Sequence, residues 1–232
     1  MTLELATAIV LVLVPVAFNG AFLELGRAFD YPDILRREPD EILRRFAAGG
    51  PGLLLRWEAL LLSALGMLPV AVLLAVALDA SPELTLLSVI VGSAAALVQA
   101  LGLVRWPFAV PELARRYVAA PEGPDGEPAR ETVRILFATL HRLFGVGIGE
   151  HLGYLLTGAW TLLASWSMLT TSVVPTWLGV IGVPIGIALL ASATEFMGRN
   201  ERDGWPLMGK VVPVAYIVWS LWLVTTGVVI AL

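Results

Sequence analysis

The chain has 232 residues, 58% hydrophobic and 15% charged, with mean hydropathy +0.83, where soluble domains carry about 45–50% apolar and about 25% charged residues. That composition excludes a disordered chain and an ordinary water-soluble domain. The 15 Lys+Arg against 19 Asp+Glu leave a net charge of −4 and no uniformly basic surface for a nucleic-acid backbone, while zero cysteines exclude disulfides, thiolate catalysis and Cys-ligated metal centres.

Crossing about 30 Å of hydrocarbon takes roughly 20 mostly apolar residues. Six stretches meet that need, at 5–26, 52–78, 84–104, 147–169, 177–197 and 208–231. A backbone in lipid must satisfy its own hydrogen bonds, and none of the six alternates as a barrel strand does, so each reads as a helix. The expected fold is all-α, a polytopic membrane protein with a six-transmembrane-helix bundle and interfacial cytoplasmic helices. The first stretch has no preceding Lys or Arg and is too long for a secretory signal, so it counts as the first span. All 15 cations fall between Arg27 and Arg56, between Arg105 and Arg142, or between Arg199 and Lys210. Positive residues in short loops stay cytoplasmic, which predicts a multi-pass plasma-membrane protein with both termini outside.

In the first basic segment, Pro32-Asp33-Ile34-Leu35-Arg36-Arg37 recurs as Pro39-Asp40-Glu41-Ile42-Leu43-Arg44-Arg45. Each copy opens with Pro and acids that suit a helix N-terminus. An interfacial helix pair over 32–48 follows, ended by Gly49-Gly50, with Ile34, Leu35, Ile42, Leu43 and Phe46 on the acyl boundary. The second basic segment holds a hydrophilic loop at 121–128 and an interfacial helix over 131–144, where Val133, Leu136, Phe137, Leu140 and Phe144 recur at spacings of three and four. The third, 198–206, is a short polar connection. In the fourth span Gly145, Gly149, Gly153, Thr157, Thr161 and Ser165 form an i+4 row of small residues, which suits close helix packing; Gly182 and Gly186 repeat the pattern in the fifth. Pro15, Pro69, Pro184 and Pro213 are expected to kink their helices, and Trp57, Trp106, Trp177 and Trp205 to form an aromatic belt.

Ionisable groups within spans are costly and often mark function. Glu24, Arg56, Glu58, Arg105, Glu150, His151 and Glu195 all fall within about two turns of the cytoplasmic helix ends, with Asn19 and Gln99 deeper. One reading of this polar layer is an ion-pair and hydrogen-bond network that sets helix register. The sharper reading is a site in the cytoplasmic half: Asn19, Glu24, Arg56, Gln99, Arg105 and Tyr154 bind a ligand, and Glu58, Glu150, His151 and Glu195 are candidates for acid–base catalysis. No metal is expected, because carboxylate-bridged two-metal bundles use Glu-x-x-His whereas Glu150 and His151 are adjacent and point about 100° apart. No cofactor is expected either. His141 and His151 are out of phase for haem, and Lys210, the sole lysine, lies at a helix end. Phosphate loops, nucleophile elbows and His-Glu-x-x-His are absent.

The run Phe29-Asp30-Tyr31-Pro32-Asp33-Ile34-Leu35, the approach to Arg56-Trp57-Glu58, and the stretch from Gly149-Glu150-His151 through Gly153-Tyr154 to Trp160-Thr161 resemble the bacterial integral membrane family called domain of unknown function 4386. The resemblance implies a small polytopic membrane protein and carries no activity or site residue with it. The leading expectation is a membrane protein that binds a lipidic or small amphiphilic ligand, or a partner subunit, through its polar cytoplasmic layer. The alternative is a membrane-embedded enzyme doing Glu/His chemistry on an isoprenoid or lipid, and the third a small secondary transporter. The expected partners are the bilayer, a lipidic small molecule and a homo-oligomer or partner membrane subunit, with no nucleic acid.

Overall fold

The computed structural model describes residues 2–232 and is helical almost throughout. Helix α1 (Leu3–Phe29) starts where Thr2 Oγ1 accepts the Leu5 N–H at 3.3 Å and stops where Asp30 turns left-handed. Helix α2 (Pro39–Leu65) is two helices joined at Gly50, whose φ of 59° and ψ of −162° only glycine adopts cheaply. Helix α3 (Met67–Ala77) follows after Gly66. Helix α4 (Pro82–Leu103) is capped by Ser81 and bends at Val104 into α5 (Arg105–Ala119). Helix α6 (Glu127–Leu140), a π-helical segment (His141–Leu152) and α7 (Gly153–Thr170) run on without a break. Helices α8 (Thr176–Ser192) and α9 (Pro206–Ala231) complete the chain.

Side-chain neighbours give the topology. Thr7 meets Leu73 and Val14 meets Gly66, so α1 runs against α2 and α3. Gly92 packs on Ala71 and Trp160, and Gly102 on Gly149, which places α4 antiparallel to α7 and its π-helical extension. Gly158 lies against Gly186, Gly182 against Trp222, and Gly227 against Leu11, which carries the order through α8 and α9 back to α1. The result is a closed ring of six antiparallel rods. Both chain ends sit at one end of it, and the three basic segments meet at the other. There, Arg134 holds Asp40 in a two-pronged ion pair, one contact 3.0 Å, and Arg142 reaches Glu201 at 2.7 Å.

Four stretches, Leu3–Phe29, Pro39–Ala77, Pro82–Ala119 and Pro206–Ala231, are long and apolar enough to cross a membrane, and Thr176–Ser192 is apolar but shorter. Large apolar side chains such as Leu13, Leu86 and Leu221 point outward from these rods, as lipid-facing residues do. The molecule is a polytopic all-α membrane protein.

Several local expectations need correction. The two copies of the Pro-Asp motif do not make a helix pair. The first is a single 3₁₀ turn (Asp33–Arg36), because Glu38 precedes Pro39 and is held extended, so the helix restarts only at Pro39. Ile34, Ile42, Leu43 and Phe46 do not lie on lipid; they are buried against Phe29, Trp57 and Trp106 in a second core at the basic end. Trp57 and Trp106 are fully buried, not part of a belt, and stack with ring centroids 4.3 Å apart and planes 6° from parallel. Trp177 and Trp205 are exposed. Pro69, whose missing N–H breaks the hydrogen-bond ladder, falls three residues after the interruption at Gly66 that separates α2 from α3. The fifth span ends at Ser192, leaving Glu195 in the turn that follows.

Candidate functional site

A cavity of about 430 Å³ opens inside the basic half of the ring, within the size range of small-molecule sites. Its walls come from α1, α4, the π-helical segment and α9, with Leu60 of α2, Arg105 at the start of α5 and Tyr154 at the start of α7, and with Tyr31, Pro32 and Leu35 closing the basic end. Backbone packing creates it. A Cβ on Gly102 would fall 2.5 Å from the Gly149 Cα, so these glycines let α4 and the π-helical segment touch. One turn earlier, a Cβ on Gly145 would fall 2.6 Å from an Arg105 guanidinium nitrogen, so that glycine leaves room for the arginine. The wider π turn carries both glycines and Glu150 onto the same wall, a placement for which π-helical turns are frequently used.

Arg105 is 7% exposed. Its guanidinium donates to the Gly102 carbonyl, lies 5.2 Å from the Trp106 ring centroid, and leaves its Nε buried without a partner. Among the described residues it forms no ion pair. Glu150 lines the same cavity, and among the described residues it too has no ion pair and no side-chain hydrogen bond. Tyr154 packs edge-on to Tyr216 at 5.6 Å, and Tyr31 edge-on to Phe22 at 4.9 Å. Burial of the Tyr31 phenol, reinforced by the Glu150 charge, pushes it up to about 12, so the hydroxyl stays a neutral donor at physiological pH.

Two deeper amides mark the far wall. Asn19 Nδ2 donates to the Pro15 carbonyl at 2.8 Å and to Ser220 Oγ at 3.0 Å, tying α1 to α9. Gln99 Nε2 donates to Thr157 Oγ1 at 2.7 Å, tying α4 to α7. The remaining lining is apolar: Phe18, Phe22, Leu23, Leu60, Val212 and Ile217. Leu23 and Ile217 are 60% and 55% exposed on the outer flank, so the cavity opens sideways between α1 and α9.

Of the residues singled out in the sequence, Asn19, Gln99, Arg105, Glu150 and Tyr154 share this cavity. The others do not line it. Glu24 pairs with Arg27 at 2.8 Å and lies 3.8 Å from Arg56, whose guanidinium also donates to the Gly52 carbonyl, all partly exposed. Glu58 is half-buried and elsewhere on α2. The His151 ring Nδ1 lies 2.7 Å from the Ala193 carbonyl and so anchors the end of α8. Glu195 is buried beside Gly209, with the Arg36 guanidinium against the same glycine. Among the described residues, no three His, Asp or Glu side chains come together as metal ligands would.

Sequence reasoning passed over Tyr31 and Tyr216. Tyr31 stands in the Phe29–Leu35 run, yet nothing in that run marks it as a site residue. The only signal for Tyr216 was Pro213, one turn before it and itself on the cavity wall.

Residues 6–227 match the family described as a domain of unknown function (DUF4386). The chain belongs to this family. No curated protein and no solved structure matches it. Membership of DUF4386 brings no activity with it.

Proposed function

We propose that this DUF4386 protein binds a lipidic or small amphiphilic ligand in the cavity, within the cytoplasmic half of a six-span plasma-membrane bundle. The reading is carried by one juxtaposition: five polar groups from distant parts of the chain share a chamber with an apolar mouth that faces the lipid side. An amphiphile has the same two-part shape, and it enters from a bilayer without crossing water. The six-span count is supported by the continuous helix over 141–170 and its antiparallel return along α8. The orientation rests on the grouping of every cation at the end away from both termini.

The enzymatic alternative asks for Glu58, Glu150, His151 and Glu195 around one substrate. Only Glu150 of that set lines the cavity, which leaves it without a second acid–base partner from that set. Transport is disfavoured because the buried side chains of the other half are apolar, mainly Leu, Ala and Trp, or uncharged hydroxyls such as Thr7, Ser165 and Thr226, with no buried charge there among the described residues.

The test is mass spectrometry of lipids and small amphiphiles retained after purification in mild detergent. Wild-type protein is expected to retain a stoichiometric amphiphile, and Ile217→Trp or Leu23→Trp, at exposed mouth positions, to lose most of it with an unchanged melting temperature. Equal retention by the mouth variants, or no retained amphiphile in the wild type, overturns the proposal.

A further inference from the structure

We infer that the cavity selects a zwitterionic headgroup, one that presents an ammonium and a phosphate or carboxylate a few bonds apart. This rests on the binding reading above and narrows it. A guanidinium and a carboxylate, from Arg105 and Glu150, line the same chamber, and neither forms an ion pair with any described residue. Arg105 rests on Gly145, and Glu150 stands five positions further along the π-helical segment, about one turn away on the same wall. Charges set in a largely apolar chamber are costly without an ionic partner, and proteins normally pair them.

The net charge of possible occupants decides between them. A purely anionic headgroup satisfies Arg105 but meets repulsion from Glu150. A cationic amphiphile has the reverse problem, and a neutral one leaves both charges unpaired. A zwitterion set between them replaces one attraction at a distance by two direct charge-assisted contacts. The tyrosines fit the same assignment. Tyr31, Tyr154 and Tyr216 line the chamber, and aromatic rings favour an alkylammonium, while their hydroxyls can donate to the anionic oxygens. The sideways mouth between Leu23 and Ile217 then leaves acyl chains in the bilayer. The shared chemistry is that of a membrane phospholipid headgroup or a free small zwitterion.

The experiment titrates delipidated, detergent-solubilised protein with phosphatidylethanolamine and phosphatidylglycerol of identical acyl chains, and separately with glycerophosphoethanolamine, a water-soluble phosphodiester zwitterion, read by native mass spectrometry and thermal shift. Phosphatidylethanolamine is expected to bind at least tenfold more tightly than phosphatidylglycerol. Saturable binding of glycerophosphoethanolamine at concentrations comparable to the lipid identifies a free zwitterion as the source, and binding of the lipid alone identifies the membrane. In Glu150→Gln the preference for phosphatidylethanolamine is expected to fall to about twofold or less, and in Arg105→Gln both lipids are expected to weaken at least tenfold. Equal or tighter binding of phosphatidylglycerol by the wild type overturns the zwitterion assignment even if neither variant folds. So does retention of the full preference by folded Glu150→Gln. If both lipids bind equally and Ile217→Trp abolishes both, the amphiphile reading stands and only the headgroup assignment falls; if neither binds, both fall.

Discussion

At the scale of single residues, the basic end is held by rings that the sequence places among arginines. Trp57 follows Arg56 and Trp106 follows Arg105, an arrangement that looks interfacial because an indole suits the headgroup boundary. The two indoles instead stack on each other, with Phe29 and Phe46 around them. Which side of a helix faces a partner depends on how α2 and α5 meet, and no local pattern encodes that. Replacing Trp106 by Ala leaves a large void and is expected to cost about 3–5 kcal/mol in a detergent unfolding titration. Trp106→Phe is expected to cost less than half as much, because it also removes an indole N–H that is buried without a partner. A loss below about 1 kcal/mol for Trp106→Ala contradicts the buried stack.

At the scale of elements, breaks matter as much as helices. Gly49-Gly50 is legible as a stop signal, and the structure uses Gly50 to redirect α2 between its amphipathic first half and its apolar second half. The positive φ with ψ near 180° there, a region essentially confined to glycine, makes Gly50→Ala cost about 1–3 kcal/mol, measured in the same titration, with no comparable loss for Gly20→Ala, where the added methyl meets open space. The first half of α2 is pinned to α6 by Asp40 and Arg134. Removing Arg134 is expected to raise amide exchange in α6 several-fold while leaving α7 protected, and the effect should shrink in the presence of high salt for the wild type. Uniform exchange across α6 and α7 in Arg134→Ala argues that the two behave as one rigid helix. The expected interfacial helix at 131–144 and the span after it are in fact joined through the π-helical segment, because Gly145, Gly147 and Gly149 offer no side chains to oppose the wider turn.

At the scale of the whole molecule, the antiparallel ring forces the topology of charge. With an odd number of crossings between them, consecutive basic segments would alternate sides; here two rods separate each from the next, and all three meet at one end. The zero-cysteine background makes this directly testable. Single substitutions Thr171→Cys and Ser81→Cys are expected to react with a membrane-impermeant maleimide added to intact cells, and Pro124→Cys only after permeabilisation. Labelling of Pro124→Cys in intact cells, with Thr171→Cys protected, inverts the proposed orientation and moves the cavity to the outer half.

Apolar runs longer than the bilayer is thick, and the confinement of all cations to three segments, follow from the order of residues alone, since hydropathy and charge act locally on each segment. The helical class, the approximate spans and the basic end of the polar layer were therefore legible before any coordinates. Which polar groups face one another was not. Asn19, Gln99, Arg105, Glu150 and Tyr154 converge because glycine-to-glycine contacts and a π-helical turn set the rotation of each rod, while His151 and Glu195, at similar distances from helix ends, are turned to other partners and Glu58 stands outside the chamber. Rotation about a helix axis is decided by packing against neighbours distant in the chain, so only the tertiary structure separates a shared chamber from a layer of unrelated charges.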